Sequence, residues 1–424
     1  VEHIPTTGYR KNLKREFTSM IAGLDIGTTK IAALIAEVTD DMRVNIIGVG
    51  VAPSRGLRKG AVVDIEQATQ SIEQAVEQAQ HMAGRRIESV FVGVTGEHIR
   101  SLNSKGMIAV TSPAREISRE DVERVMESSR TVVLTPDREI IHAIPRGYTV
   151  DGQDGIRHPE GMSGSRLEVE THIIHGSSTF LQNITKCVQR ARLQVEELVV
   201  EPIATAAAVL TEAERDLGVA LADIGGGTTD VAVFTSGEIY YTGVIPIGGN
   251  HVTNDISMGL RTPPEESERI KLQYACALKS LVGENEVVPH RPMGSNEERK
   301  VPARVLAEIV EPRMRELLEL VYEEIRKSGT AGMLPGGLVL SGGGSLMRGV
   351  VELAREVTDM PVRVGKPMNV GGLVDKVDSP IFATGVGLLL YGLERSYTLG
   401  DAHRRSFWQG VVAWFRHLLS RFAP

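Results

Sequence analysis

The sequence predicts an α/β protein built from two related halves. Two observations carry this. Ile21–Leu34 and Leu221–Phe234 share one plan: an apolar run, an Asp-Ile-Gly turn, a pair of threonines and a second apolar run. Asp25 and Asp223 sit at the same place in each, about half the chain apart. Apolar runs flanked by turn residues read as strands, so each stretch is a hairpin with glycine at its tip. One such turn is weak evidence for a ligand site, because glycine turns are common. Two of them suggest a duplicated domain whose turns face each other across one ligand.

The elements follow in order. Val1 to Thr18 is polar and carries Arg10, Lys11, Lys14 and Arg15; residues 1–20 read as a flexible leader. Ile21–Ile26, Ile31–Val38 and Val44–Val51 are three strands, the last two joined at Asp40-Asp41. Arg55 to Gly60 reads as a solvated basic loop, with contact to a neighbouring subunit as the functional alternative. Asp64–Gln80 is a helix, with Ile65, Ala68, Ile72, Ala75, Val76 and Ala79 at spacings of three and four, Asp64 as N-cap and Gly84 closing it. Ser89–Val94 is a strand.

Residues 96–171 read as an inserted small domain. It has a helix from Ser118, whose spacing to Asp121 is that of a capping box, and strands near Met107–Val110 and Glu139–Ile144. Asp151–Gly164 reads as a surface loop. His142, His158, His172 and His175 are scattered without a ligand cluster, so they read as core or surface residues rather than a metal site. Val169–Ile174 is expected to return to the main sheet. Thr179–Arg190 is a helix and Val195–Val200 a strand, and Pro202 starts the next helix.

After the second hairpin come a strand at Ile239–Val244, a helix at Asn250–Met258 and another from Pro263-Pro264. Glu268 and Lys271 share a face of that helix. They are either a surface ion pair or a pair reaching a ligand. Residues 280–300 read as loop or edge structure of a second small domain. Ala303–Lys327 is a long helix and Leu334–Leu340 a strand. Leu346–Val357 and Ile381–Tyr391 close the second half.

Residues 394–405 read as a linker. In 406–423 the nine large apolar residues fall, at helical spacing, within an arc of about 160°. From Arg404 onward there are four arginines and no acidic residue. Four of the eighteen aromatic residues, Phe407, Trp408, Trp414 and Phe415, lie in one nine-residue window. A core helix can show this pattern. The preceding linker, the tryptophans and the one-sided charge favour a helix lying in a membrane interface. Its membrane residues would be Phe407, Trp408, Val411, Trp414, Phe415, Arg416, Leu418, Leu419, Arg421 and Phe422.

Bulk properties narrow the classes. A chain of 424 residues buries a large core and divides into domains. A net charge of −7 offers no basic excess for general nucleic-acid binding. Cys187 and Cys276 are the two cysteines, too few for a disulfide framework, which fits a reducing cytoplasm. No apolar run approaches the length of a membrane span.

The paired hairpins resemble the phosphate loops of the superfamily containing actin, the DnaK-type chaperones and the sugar kinases, which has a duplicated ribonuclease H-like fold. Glu201-Pro202-Ile203-Ala204-Thr205-Ala206-Ala207-Ala208 is similar to the first connecting helix of that superfamily. Val339-Leu340-Ser341-Gly342-Gly343-Gly344-Ser345 resembles its adenosine loop, and Phe382-Ala383-Thr384-Gly385-Val386-Gly387 its second connecting helix. Within it the chain looks like the FtsA family of bacterial cell-division proteins. That likeness rests on Gly23 to Thr28, Val44 to Gly50, Pro53 to Leu57, Val244 to Pro246 and Gly385 to Leu389, and runs from about Ile21 through the amphipathic tail.

The resemblance implies a first actin-like half at 21–95 and 172–203 and a second at 204–393, with its small subdomain near 245–330. It implies ATP and Mg²⁺ as ligands. Gly27, Thr28, Thr29 and Lys30 would hold phosphates from one side, and Gly225, Gly226, Gly227, Thr228 and Thr229 from the other. Asp25 and Asp223 would order Mg²⁺ through water, with Asp223 and Glu201 as catalytic candidates. Glu268 and Lys271 would meet ribose and adenine, and Gly343, Gly344 and Ser345 the adenosine end. Family members are at most weak ATPases, so ATP would act mainly as an assembly ligand. The implied partners are the tubulin-like FtsZ, further copies of the chain, anionic lipid on the cytoplasmic face of the bacterial membrane at the division site, and other division proteins through the insert. A sugar or metabolite kinase of the same superfamily would need an aspartate base beside a sugar pocket, and none stands out. A DnaK-like chaperone would need a substantial domain after Leu393.

Overall fold

The computed structural model describes residues 19–39, 41–295 and 297–396. The leader up to Thr18, Asp40, most of the linker and the whole amphipathic tail lie outside the described residues.

The first half is built on β1 (Ser19–Ile26), β2 (Lys30–Val38), β3 (Val44–Pro53), a short hairpin of β4 (Leu57–Arg58) and β5 (Ala61–Val62), α1 (Ile65–Ala83) and β6 (Ser89–Val94). The insert follows: β7 (Arg100–Ala109), α2 (Arg119–Arg130), β8 (Arg138–Val150), β9 (Gln153–Ile156) and β10 (Arg166–Ser177). α3 (Ser178–Arg190) and β11 (Gln194–Val200) complete the half. α4 (Glu201–Val209) and α5 (Glu212–Leu217) lead to β12 (Val219–Ile224), β13 (Thr229–Thr235) and β14 (Glu238–Ile245). Then come α6 (Gly249–Leu260), α7 (Pro264–Tyr274), β15 (Val287–His290), β16 (Arg299–Pro302) and α8 (Ala303–Lys327). β17 (Leu338–Ser341), α9 (Val350–Thr358), β18 (Val362–Val364), β19 (Val370–Gly372) and α10 (Val374–Val377) follow. A last helix, α11, covers 383–396.

The two main sheets repeat one topology. The first runs β11-β6-β1-β2-β3-β19 and the second β18-β17-β12-β13-β14. In each, the glycine-tipped hairpin is antiparallel and its first strand pairs in parallel with the next crossover strand, β1 with β6 and β12 with β17. These central strands are covered on both faces, so they carry near-continuous apolar runs rather than alternation. Leu24, Ile31, Leu34 and Ile35 are fully buried, as are Leu221 and Val231. α4 and α11 lie between the sheets, in a core that joins Leu34 and Ile46 to Val209, Leu221, Val339 and Leu389. The helices cross closely: a Cβ on Gly387 would lie 1.7 Å from the Ala204 carbonyl oxygen.

Local chemistry sets the ends of several elements. Asp64 caps α1 through the Gln67 N–H, and Gly84 ends it in the left-handed region. Ser118 and Asp121 make the capping box of α2. α8 has its expected bounds, with Leu306, Val310, Met314, Leu317, Val321 and Ile325 forming its buried stripe.

The structure corrects several expectations. Val169–Ile174 does not return to the main sheet: it lies in β10, paired antiparallel with β7 and β8 inside the insert. The insert therefore extends to Ser177, and the first half resumes with α3. A buried strand shows the same apolar pattern in either sheet, so pattern alone cannot assign it. The 151–164 stretch contains β9, and β7 and β8 are longer than expected because both pair along β10. β17 begins at Leu338 rather than Leu334. α9 begins at Val350, after a 3-10 turn at Gly343–Leu346. Residues 394–396 belong to α11 rather than to a linker.

The insert also touches the second half. Ser101 Oγ donates to the Thr242 carbonyl at 2.8 Å, and His172 Nε2 lies 3.0 Å from Thr242 Oγ1. His142 and His172 are core residues, held down to about 4 by burial.

Candidate functional site

The two hairpin tips and the β17–α9 turn line one cavity of about 400 Å³ between the halves, a size suited to a small ligand. The tips are built alike. Gly27 N–H donates to the Lys30 carbonyl at 3.1 Å, and Gly225 N–H to the Thr228 carbonyl at 3.0 Å. The N-terminus of α6 buttresses the second tip, with Gly249 and Asn250 N–H donating to the Gly225 and Gly226 carbonyls. The tips nearly touch: a Cβ on Gly226 would lie 1.9 Å from Thr29 Oγ1. Only glycine permits that approach.

Carboxylates gather at the cavity floor. Asp25 pairs with Lys30 at 2.7 Å. Asp223 Oδ2 accepts from Thr205 Oγ1 of α4 at 2.6 Å and from Thr384 Oγ1 of α11 at 3.2 Å. Asp230, behind Asp223, accepts from Thr95 Oγ1 at 2.7 and 2.8 Å. Glu201, first residue of α4, is 9% exposed, and its Oε1 has no hydrogen-bond partner among the described residues.

Burial raises Glu201 well above the usual carboxylate range, and Asp230, Asp25 and Asp223 raise it further, with Lys30 opposing. Burial likewise raises Asp223, against its Thr205 hydrogen bond, and raises Asp230, against its Thr95 hydrogen bond. A buried acidic cluster with one lysine and an orphaned carboxylate oxygen is an unfinished electrostatic site. A hydrated divalent cation carrying phosphate oxygens fits this donor set, since Mg²⁺ favours a few carboxylates and retains water.

Most residues expected at the site line the cavity: Asp25, Gly27, Thr28, Thr29, Lys30, Glu201, Asp223, Gly225 to Thr228, Glu268, Lys271, Gly343 and Gly344. Glu268 and Lys271 both line the cavity. They form an ion pair at 2.7 Å, and Lys271 also donates to the Gly249 carbonyl and Thr253 Oγ1 while lining the cavity. Two residues turn away. Thr229 is fully buried and donates to the Ile247 carbonyl at 2.8 Å, bracing β13. Ser345 donates back to the Gly342 carbonyl at 2.7 Å and caps its own turn.

Gly342 takes the place expected of Ser345 at the cavity wall. Its φ of +74° and the 2.3 Å between a built Cβ and Asp223 Oδ1 require glycine. Thr95, Thr205 and Thr384 are not among the residues expected at the site. Thr205 had a faint signal, a lone hydroxyl inside an alanine run.

A duplicated α/β fold with two glycine hairpins facing across a cleft, and two small-residue helices crossing beneath it, defines the actin-like class. Solved structures agree on the fold. The PilM–PilN type IV pilus biogenesis complex matches with a TM-score of 0.64 at 17% identity, covering 88% of this chain and 98% of that one. MreB5 of Spiroplasma citri matches with a TM-score of 0.56 at 14% identity, covering 91% and 99%. A family model described as cell division protein FtsA matches residues 220–387, and one described as the SHS2 domain inserted in FtsA matches 96–175. The FtsA protein of Pseudomonas aeruginosa is 50% identical over 89% of this chain and 90% of its own length. That of Escherichia coli is 41% identical over 96% and 98%, and that of Bacillus subtilis 42% over 90% and 85%. The chain belongs to the FtsA family of cell division proteins. Membership sets aside the kinase and chaperone alternatives.

Proposed function

We propose that the protein binds Mg²⁺-ATP between its two hairpins, polymerises on the cytoplasmic face of the membrane at the division site, and tethers the FtsZ ring there. The observation that carries the nucleotide part is the acidic floor with its orphaned Glu201 oxygen beneath two facing glycine tips. Gly27 to Lys30 and Gly225 to Thr228 hold the phosphates from opposite sides. Asp25 and Asp223 hold the waters of Mg²⁺, which supplies positive charge against the phosphates. Glu268 and Lys271 meet the ribose and adenine, and Gly342 to Gly344 the adenosine end. Glu201 positions a water near the terminal phosphate, and turnover is slow, so the nucleotide serves mainly assembly. The solved structures of MreB5 of Spiroplasma citri are bound to ADP and to AMPPNP, which supports a nucleotide in this fold.

The membrane part rests on the tail sequence, Ser406 to Phe422. The small subdomain of the second half takes FtsZ, and the insert recruits other division proteins. The test is co-sedimentation with vesicles containing anionic lipid, in ATP, comparing the full chain with one ending at Arg404. Pelleting of the full chain alone is the expected result. Equal pelleting of both contradicts the tail's role.

A further inference from the structure

The end of the first half furthest from the nucleotide cleft carries an open groove of about 560 Å³ between the C-terminal ends of α1 and α3. Its floor includes Val76, Ile87 and Leu193, and its rim Arg85, Arg86 and Arg192. Arg190 lies exposed beside it. None of these four arginines has an ion pair or side-chain hydrogen bond among the described residues. Glu77 is the one carboxylate lining the groove. Elsewhere on the surface arginines are commonly paired, as Arg313 is with Asp255 and Arg363 with Glu214. On a chain of net charge −7, this concentration of unpaired positive charge is local and one-sided.

Strand directions locate the groove relative to the chain ends. β1, β6 and β11 run parallel, with their C-terminal ends at the cleft, where Asp25, Thr95 and Glu201 sit. Their N-terminal ends, and so the groove, are at the opposite side. β1 enters at Ser19 on that side. α11 starts at the cleft, where Thr384 meets Asp223, and runs the other way. Its end is pinned there by Arg395 to Glu197 at 2.9 Å and by Tyr391 to Glu197 at 2.7 Å. Glu197 lies three residues beyond Gln194, about 10 Å along β11 from the groove. The described chain thus ends at Ser396, at the same end of the first half as the arginine rim but on the other face of its sheet.

We infer that this arginine groove is a second membrane contact, one that takes the headgroups of anionic lipids at the same end of the molecule as the end of α11. The inference rests on the membrane reading of the tail. The occupant follows from charge and position: the tail is itself cationic and would be repelled by the rim, whereas a bilayer holding the tail presents anionic headgroups to the same end of the molecule. Each arginine near an anionic surface is worth about fivefold in binding. The groove gives the body a fixed orientation on the bilayer, which a linker-borne helix alone does not.

The experiment compares the full chain with the Arg85→Glu/Arg86→Glu/Arg192→Glu variant on phosphatidylglycerol-containing and pure phosphatidylcholine vesicles. The Lys105→Glu/Arg119→Glu/Arg130→Glu variant, three exposed reversals on the insert with the same change in net charge, is the control. The expected result is at least a tenfold rise in the lipid needed for half-pelleting by the triple variant on anionic vesicles, with little change for the control. The replaced side chains are exposed, so the melting temperature stays within a few degrees. The chain ending at Arg404 separates the two readings. If truncation abolishes pelleting while the triple variant pellets like the parent, the tail reading stands and the groove inference is overturned. If truncation changes nothing and the triple variant fails to pellet, the groove holds alone and the tail reading fails. Binding of a fluorescent polyglutamate peptide that the triple variant loses, with vesicle binding unmoved, assigns the groove to an acidic protein and also overturns the inference.

Discussion

Burial and three neighbouring carboxylates leave the Glu201 anion poorly supported and raise its carboxyl well above the usual range. Asp223 and Asp230 are raised in the same direction. Raised carboxylates bind protons more tightly folded than unfolded, so their contribution to stability is full at acid pH. It is lost as pH rises above the usual carboxylate range. Without nucleotide and in EDTA, the melting temperature is therefore expected to fall between about pH 5 and about pH 8. Saturating Mg²⁺-ATP should flatten that slope, because the cation supports the ionised forms. An apo melting temperature that rises over this window contradicts the account of the acidic floor. At the cavity wall, Lys271→Ala should weaken nucleotide binding about tenfold, or ~1.4 kcal/mol. A fluorescent-nucleotide titration measures it, and an unchanged affinity returns the Glu268–Lys271 pair to a purely surface role. Asp25 and Asp223 were legible because each is followed by a glycine turn. Thr95, Thr205 and Thr384 were not, because single hydroxyls in apolar stretches carry no periodicity. Thr229 and Ser345 bond backbone carbonyls instead of lining the cavity, because sequence does not say which way a loop hydroxyl faces.

The connecting helices are the elements through which the cleft can act on the rest of the molecule. α4 and α11 each supply a threonine to Asp223, and Thr205 and Thr384 also lie 2.9 Å apart. One turn from Thr384, Gly387 admits the Ala204 carbonyl at a distance no other residue allows. Gly387→Ala must push the helices apart, since the obstructing atom is backbone. Overpacking of this kind costs about 1–3 kcal/mol. The expected outcome is a lower melting temperature together with weaker nucleotide binding, because the displacement reaches Asp223 through Thr384. A loss of stability with full nucleotide affinity would uncouple the helices from the site. α8 and α1 were legible end to end from apolar spacing and capping residues. β10 was not, because strand pattern records burial and not the partner sheet.

At the scale of the molecule, the duplicated topology, the cleft and the inserted domain were all signalled by sequence. The insert's far boundary and its contact with β14 were not, since they depend on tertiary pairing. The proposed function couples nucleotide binding in the cleft to a polymer on the membrane. A single interfacial helix binds weakly: full burial of a large apolar side chain is worth about 1.5–3 kcal/mol, interfacial insertion recovers only part, and ordering the helix opposes it. Many tails on one filament bind far more tightly through effective concentration. Membrane attachment should therefore follow assembly, and assembly should follow nucleotide. The most direct test is a calorimetric titration of ATP into the full chain, in Mg²⁺ and again in EDTA. The account expects one ATP per chain, bound at least tenfold more weakly without the metal. No binding, or an affinity indifferent to Mg²⁺, would contradict a clamp built from two glycine hairpins over an acidic floor.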